Sequence, residues 1–173
     1  MQMSIRSDNA IKALLYLAAQ TEDRYVPVPE LAFAVSVSAF SMQTLINDLA
    51  QANLVRTTRG RNGGVKAIRD LAQIRVSEVI AVGEQEAGWK FTECDRSADC
   101  SCYLNGRCSL RAMYRNVQEQ IMAIFEGYSM SQLRTRETDA AARERAEMYR
   151  NRASADKKSE PSRDRTPENN ALV

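Results

Sequence analysis

All four cysteines of this 173-residue chain lie in one short segment, and the chain has no histidine. They are Cys94, Cys100, Cys102 and Cys108, within the sequence CDRSADCSCYLNGRC. Thiolates are soft, strongly donating ligands for iron-sulfur clusters and zinc, and they are also the form of cysteine that oxidants attack. The segment therefore predicts a metal centre or a redox-active thiol site.

The spacing of these cysteines weighs against zinc. Structural zinc sites usually pair ligands two to four residues apart within a knuckle, and the segment does not repeat such a pair. A metal-free thiol switch stays open as an alternative, because Arg96, Arg107 and Arg111 flank the cysteines and favour the thiolate.

The composition predicts a cytoplasmic protein with a core of ordinary size and no membrane partner. Hydrophobic residues make up 44% of the chain. The apolar run over residues 13–19 is too short to cross a membrane and follows neither a basic leader nor a cleavage-like site. In a reducing compartment a structural disulfide is disfavoured.

The elements that would position the cysteines begin with three predicted helices. The first has apolar residues at helical spacing from Ile11 onward, with Asp8 or Ser7 as its N-cap. The second starts near Pro29, and Ser38 or Ser41 caps the third. The buried stripe of that third helix is predicted to consist of Phe40, Met42, Leu45, Ile46 and Leu49. Two short helices joined by a tight turn form a candidate helix-turn-helix.

A basic β-hairpin is predicted directly after the third helix, in LVRTTRGRNGGVKAIRD. Asn62-Gly63 is a strong signal for a two-residue turn. The hairpin carries basic but no acidic side chains between Leu54 and Arg69, namely Arg56, Arg59, Arg61, Lys66 and Arg69. Taken alone, the helix-turn-helix could belong to a protein that does not contact DNA, and the charged hairpin could simply be solvated. The order of the two features along the chain favours a DNA-binding winged helix.

The predicted fold is mainly α with a small β-hairpin wing, a winged helix-turn-helix domain followed by a long dimerisation helix. Four regions are expected: the DNA-binding domain at residues 1–83, the cysteine-rich cluster-binding loop at 84–108, the dimerisation helix at 109–133 and a charged, partly disordered tail at 134–173. The tail is expected to be partly helical at first, in DAAARERAEMYRNR, and disordered at its end. The long helix has an apolar stripe of Leu110, Met113, Val117, Ile121, Ile124 and Phe125.

Four segments resemble the Rrf-type winged-helix iron-sulfur transcriptional regulators, of which IscR, NsrR and RirA typify branches. They are RGRNGGV, MQMSIRSDNAIKALLYLA, CSLR and YSMSQL, and the resemblance covers about residues 1–133. It is strongest to the NsrR and RirA branches. The resemblance implies a homodimer that binds palindromic operators in double-stranded DNA and carries a cluster held by three cysteines.

Carried over by position, the resemblance implies the ligands Cys94, Cys102 and Cys108, with Cys100 as the alternative. Cys102 and Cys108 match through the intervening residues YLNGR, whereas the gap from Cys94 is wider than in many members. Asp8, supplied by the partner subunit, matches an aspartate ligand of the NsrR branch, and its role as an N-cap is the competing interpretation. A 4Fe-4S cluster is favoured over 2Fe-2S, and an oxygen-ligated iron would be open to a small molecule.

For DNA, we expect contacts from the third helix through Ser38, Ser41, Gln43 and Thr44, with Gln43 as the main base reader. At the wing, Arg59 and Arg61 would enter a minor groove, and Arg56 and Lys66 would neutralise phosphates. Cluster state would then change the spacing of the two recognition helices in response to nitric oxide, iron supply or oxidative stress.

Enzymatic activity is not predicted. The chain offers no histidine, no carboxylate pair and no phosphate loop, because GRNGG connects two strands rather than opening a helix. A winged-helix regulator without a cluster, or a protein-interaction module on the same scaffold, is the remaining alternative.

Overall fold

The computed structural model describes residues 3–20, 24–60, 63–68, 70–84, 92, 94 and 101–159. Within these residues it contains six α-helices and one two-stranded antiparallel hairpin. The elements in chain order are α1 Ile5–Ala18, α2 Val28–Val35, α3 Ala39–Gln51, β1 Val55–Thr58, β2 Gly64–Ala67, α4 Val76–Glu84, α5 Ser109–Glu126 and α6 Arg136–Ser159. The mainly α fold class with a hairpin wing is confirmed.

Helix α1 begins earlier than predicted. Its N-cap is Ser4, whose hydroxyl accepts a hydrogen bond from the amide of Ser7. Asp8 lies in the first turn and pairs with Lys12 at 2.5 Å, one helical turn further on. The prediction that Asp8 or Ser7 caps this helix is therefore wrong, because the serine upstream already satisfies the first amides.

Helices α2 and α3 form the helix-turn-helix. Ser36 ends α2 in the left-handed conformation at φ 64°, and Ser38 caps α3 by accepting a hydrogen bond from the amide of Ser41 at 3.1 Å. Met42, Leu45, Ile46 and Leu49 are buried, as predicted for the stripe of α3. Phe40 is instead 83% exposed, so its predicted place in the core is wrong.

The wing pairs Val55 with Ala67 at its base and Thr58 with Gly64 at its tip. The connection therefore runs over residues 59–63, which corrects the two-residue turn predicted at Asn62-Gly63. Val65 is fully buried and exchanges two backbone hydrogen bonds of 2.8 Å with Val26. This bridge anchors the hairpin against the segment that leads into α2.

A buried polar group fixes α2 against α1. The hydroxyl of Tyr16 donates to Oε1 of Glu30 at 2.8 Å, and Arg24 pairs with the same carboxylate at 2.6 Å. Burial raises the pKa of Tyr16, and the adjacent Glu30 carboxylate raises it further, so the phenol remains a donor. The arrangement holds α2, the first helix of the helix-turn-helix, against α1.

The far end of α5 returns the chain to the core. The amide of Val76 donates to the carbonyl of Tyr128 at 2.9 Å, and the amide of Met130 donates to the carbonyl of Ile74 at 2.8 Å. Met130 is fully buried. Ser77, in the first turn of α4, also donates to the carboxylate of Glu126 at the end of α5. Helix α5 is thus attached at its C-terminal end to the start of α4.

Helix α6 occupies much of the predicted charged tail and packs on α1 and α2. Its buried side chains are small, Ala142 at 8% and Ala146 at 3% exposure. Arg145 donates to the carbonyl of Phe33 at 3.0 Å, and its guanidinium lies 4.2 Å from the centre of that ring. A segment with few large apolar groups becomes ordered here because alanines allow close approach and an arginine binds the C-terminal end of α2. Residues 160–173 lie outside the described residues.

Gly83 allows a close approach of α4 to α1. A Cβ atom at this position would overlap the backbone of Ser7, which is itself fully buried. We expect Gly83→Ala to lower the free energy of unfolding by about 1–3 kcal/mol, as overpacking does in other cores. Chemical denaturation checks this, with Ala81→Gly as a matched substitution at an exposed site on the same helix. A Gly83→Ala variant as stable as the parent would contradict the packing described.

Candidate functional site

The cysteine segment lies between α4 and α5. Cys102 is exposed, whereas Cys94 and Cys108 are half-buried. Cys100 lies outside the described residues. Among the residues that the structure does describe, no group of three cysteine, aspartate or glutamate side chains is close enough to hold a metal ion.

Cys108 is the N-cap of α5. Its Sγ accepts a hydrogen bond from the amide of Arg111 at 3.4 Å. The amide that binds Sγ belongs to the first turn of α5, so the Cys108 side chain lies at the N-terminal end of this helix. The predicted last ligand is therefore held at a defined place on the helix that leaves the loop.

The α1 N-terminal segment (residues 4–8) connects the end of α4 to α3, the helix predicted to read DNA. Oε1 of Glu84, the last residue of α4, accepts hydrogen bonds from the amide of Ser4 at 2.9 Å and the hydroxyl of Ser7 at 2.7 Å. Arg6 forms an ion pair with Asp48 on α3. Asp8 follows at once, with its side chain 45% exposed.

Glu84 and the Arg6–Asp48 pair were missed by sequence reasoning. Glu84 binds Ser4, and Arg6 binds Asp48, so each partner lies more than forty positions away in the chain. The local pattern around each residue is that of an ordinary charged position on a helix surface.

The predicted readers on α3 are all exposed: Ser38, Ser41, Gln43 and Thr44. The amide of Gln43 donates to the side chain of Asn47 at 3.1 Å, and the hydroxyl of Thr44 donates to the carbonyl of Phe40 at 3.1 Å. The outward face of α3 therefore combines amide and hydroxyl groups with one exposed aromatic ring. A helical-wheel projection predicts the exposure of Phe40, because at about 100° per residue it lies opposite the buried stripe.

On the wing, Arg56 and Arg59 are exposed and Lys66 is half-buried, opposite Arg56 in the strand register. Gly60 adopts φ 107°, a conformation that favours glycine. Arg61 lies outside the described residues. The described part of the wing thus presents basic side chains on both strands and at the start of the connection.

Helix α5 has no buried residue. Four members of its predicted apolar stripe are exposed, at 49% for Leu110, 50% for Met113, 37% for Val117 and 60% for Ile124. Ile121 and Phe125 are half-buried, and Phe125 packs against the core. An exposed apolar stripe of this length is typical of an interface.

The described residues contain no single helix long and apolar enough to cross a membrane. Helices α2 and α3 meet the length and composition criteria only as a pair bent by 105°.

Residues 3–136 match the family model for Rrf2, described as an iron-dependent transcriptional regulator. The chain belongs to the Rrf2 family. Rrf2 proteins are DNA-binding winged-helix transcriptional regulators, so the expectation that this protein is not an enzyme is confirmed. Helix α6 lies almost entirely beyond the matched region.

Two relatives of this Rrf2 protein span most of its length. It is 31% identical to protein aau3 of Rhizobium meliloti over 133 residues, 77% of this chain and 84% of that protein. It is 26% identical to the HTH-type transcriptional regulator NsrR of Shouchella clausii over 142 residues, 82% of this chain and 94% of that protein.

Two solved structures share the fold. IscR of T. potens matches with a TM-score of 0.56 and 20% identity, covering 77% of this chain and 85% of that one. CymR, the global cysteine regulator of B. subtilis, matches with a TM-score of 0.56 and 16% identity, covering 77% and 95%.

Proposed function

We propose that this Rrf2 regulator is a cytoplasmic homodimer whose binding to a palindromic operator is controlled by an iron-sulfur cluster. The observation that carries the proposal is the set of contacts that the α1 N-terminal segment makes on both sides. Glu84, at the end of α4 where the cysteine-rich loop begins, and Asp48, on the recognition helix, both bind residues of one helical turn. A change at the cysteine loop therefore has a short path to the DNA-reading helix.

The cluster would be held by Cys94, Cys102 and Cys108, with Cys100 as the alternative and Asp8 of the partner subunit as an oxygen ligand. Soft thiolates suit this group, and Cys108 is the N-cap of α5, which fixes its position at the end of the loop. When bound, a cluster with one oxygen-ligated iron would supply a redox-active metal site with an exchangeable position. We favour 4Fe-4S, because three cysteines and one aspartate suit the four irons of a cubane.

Asp8 is suited to this role because it does not cap its own helix. Its side chain is 45% exposed and pairs only with Lys12 among the ion pairs of the described residues, through an i,i+4 contact that contributes little energy on a surface. A carboxylate held this loosely can turn toward another subunit. It lies in the same helical turn as Arg6 and Ser7, so its orientation is tied to α3 and to the end of α4.

The chain's own residues would transmit the state of the loop. On one side of the loop Glu84 holds the start of α1, and on the other Cys108 starts α5, whose far end is attached to α4 through Ser77 and Glu126. A rearrangement of the loop would therefore move α1 and α5 relative to each other. Since α5 would carry the dimer interface, this movement changes the separation of the two recognition helices.

DNA would be read by Ser38, Ser41, Gln43 and Thr44 in the major groove, with Gln43 as the main base reader. Arg59 and Arg61 would enter the minor groove, and Arg56 and Lys66 would bind phosphates. The exposures of the described members of this set support the assignment.

Replacing Arg59 with alanine is expected to weaken operator binding and to reduce the slope of log K against log salt by about 1. The reason is that an arginine in the minor groove lies between the two phosphate backbones and displaces a counterion when it binds. Fluorescence anisotropy over a salt series measures both quantities. Arg136→Ala is the control, because it removes an exposed arginine at the start of α6. Equal affinities and slopes for Arg59→Ala and the parent would contradict the role of the wing.

The proposal is tested by purifying the full chain without oxygen, recording its absorption spectrum and measuring iron, acid-labile sulfide and zinc. A cluster predicts a coloured protein with comparable amounts of iron and sulfide. Zinc without sulfide would support the zinc alternative. A colourless, metal-free protein whose DNA binding responds to a thiol oxidant would support the thiol switch. Nitric oxide, an iron chelator and peroxide, added separately, would identify the signal.

A further inference from the structure

Phe40 is the feature of the DNA-reading helix that the assignments above do not use. It is 83% exposed, although a phenylalanine normally buries most of its ring. It occupies the second position of α3, one residue after the first helical residue Ala39. The first turns of a recognition helix are the part that enters the major groove.

The ring shares its face of α3 with the polar readers. At about 100° per residue, Phe40, Gln43, Thr44 and Asn47 lie on one side of the helix, and Met42 lies on the buried side. Gln43 is hydrogen-bonded to Asn47, and Thr44 is hydrogen-bonded to the carbonyl of Phe40. The face is thus a single apolar group surrounded by amides and hydroxyls.

An isolated ring among polar groups fits a base edge better than a protein surface. A stable protein interface buries about 800 Å² per partner, and the apolar stripe for such a contact lies on α5. In the major groove the one apolar group that a base pair presents is the C5-methyl of thymine, which apolar side chains contact.

We propose that Phe40 is a specificity-determining residue that packs against a thymine C5-methyl in each operator half-site. The inference rests on the proposed DNA-reading role of α3 and adds a base preference to it. The polar readers supply hydrogen bonds, and the ring discriminates thymine from cytosine at one position. Removal of the ring should leave the fold unchanged, because it makes little contact with the core.

The test uses the full chain and a duplex that the parent protein enriches from a random DNA pool. Each thymine of this duplex is replaced by deoxyuridine, which removes the methyl and keeps the base-pairing groups. For the parent, one symmetric position is expected to lose affinity about fourfold per half-site, as expected for one buried methyl group. Phe40→Ala should bind the thymine duplex more weakly and show no deoxyuridine effect at that position.

Phe40→Leu should restore part of the methyl sensitivity, and Met148→Ala, which removes an exposed apolar side chain from α6, should behave as the parent. Phe40→Ala should melt at the parent temperature. If Phe40→Ala keeps the parent's deoxyuridine profile at every position, the inference is overturned while DNA reading stands. If the parent enriches no duplex at all, the proposed reading role of α3 fails, and this inference fails with it.

Discussion

Cys108→Ser is expected to abolish cluster binding while leaving helix α5 intact. Serine is a good N-cap and can accept the hydrogen bond that Sγ now accepts from the amide of Arg111, but it is a hard ligand that does not replace a thiolate. Iron and sulfide should fall to background, and operator binding should stop responding to the signal. For the anaerobically purified variant, metal analysis measures the loss of the cluster and far-ultraviolet circular dichroism measures the retained helix content.

Cys100→Ser is the matched control, because it changes a cysteine of the same segment that the preferred ligand set leaves out. It should retain iron and sulfide at the parent level. If Cys100→Ser loses the cluster and Cys94→Ser retains it, the first ligand is Cys100 and not Cys94. Retention of iron and sulfide in Cys108→Ser would contradict the ligand set.

Met113→Glu is expected to produce a monomer with operator affinity reduced by about 100-fold or more. Met113 is 50% exposed in the middle of the open apolar stripe of α5, so a carboxylate there would be buried without a partner in a dimer. A monomer loses the second half-site, and linked sites commonly contribute 10²–10⁴ in overall affinity. Analytical ultracentrifugation and operator binding check the prediction.

Ala123→Glu introduces the same charge on another face of α5 at an exposed position and is the control. It should remain dimeric and bind as the parent does. A Met113→Glu variant that sediments as a dimer would show that the exposed stripe is not the interface.

The helices were predictable wherever periodicity was strong. Met42, Leu45, Ile46 and Leu49 lie at helical spacing and are buried as predicted, since their common face decides their environment. The hydrophobicity of Phe40 predicts a buried position, but its angle on α3 determines its exposure. Its ring is on the opposite side of the same helix.

The contacts between segments were not predictable from the sequence. Asp8 precedes an apolar helical run, which is typical of an N-cap. In the structure the helix already begins at Ile5, and Ser4 is its N-cap. The hydrogen bonds of Glu84 to Ser4 and Ser7 and the pair between Arg6 and Asp48 depend on how α1 packs against α4 and α3. Helix α6 acquires its order by docking alanines on α1 and α2, which composition alone cannot indicate.

The central claim, that the state of the cysteine loop sets DNA affinity, is tested most directly by one paired measurement. Operator affinity is measured without oxygen, at one salt concentration, for a single preparation before and after its cluster is removed by chelation. We expect the two dissociation constants to differ by about 5- to 150-fold, the usual range of coupling between two sites, and we expect no such difference for Cys108→Ser. Equal dissociation constants for the cluster-bound and cluster-free protein would contradict it.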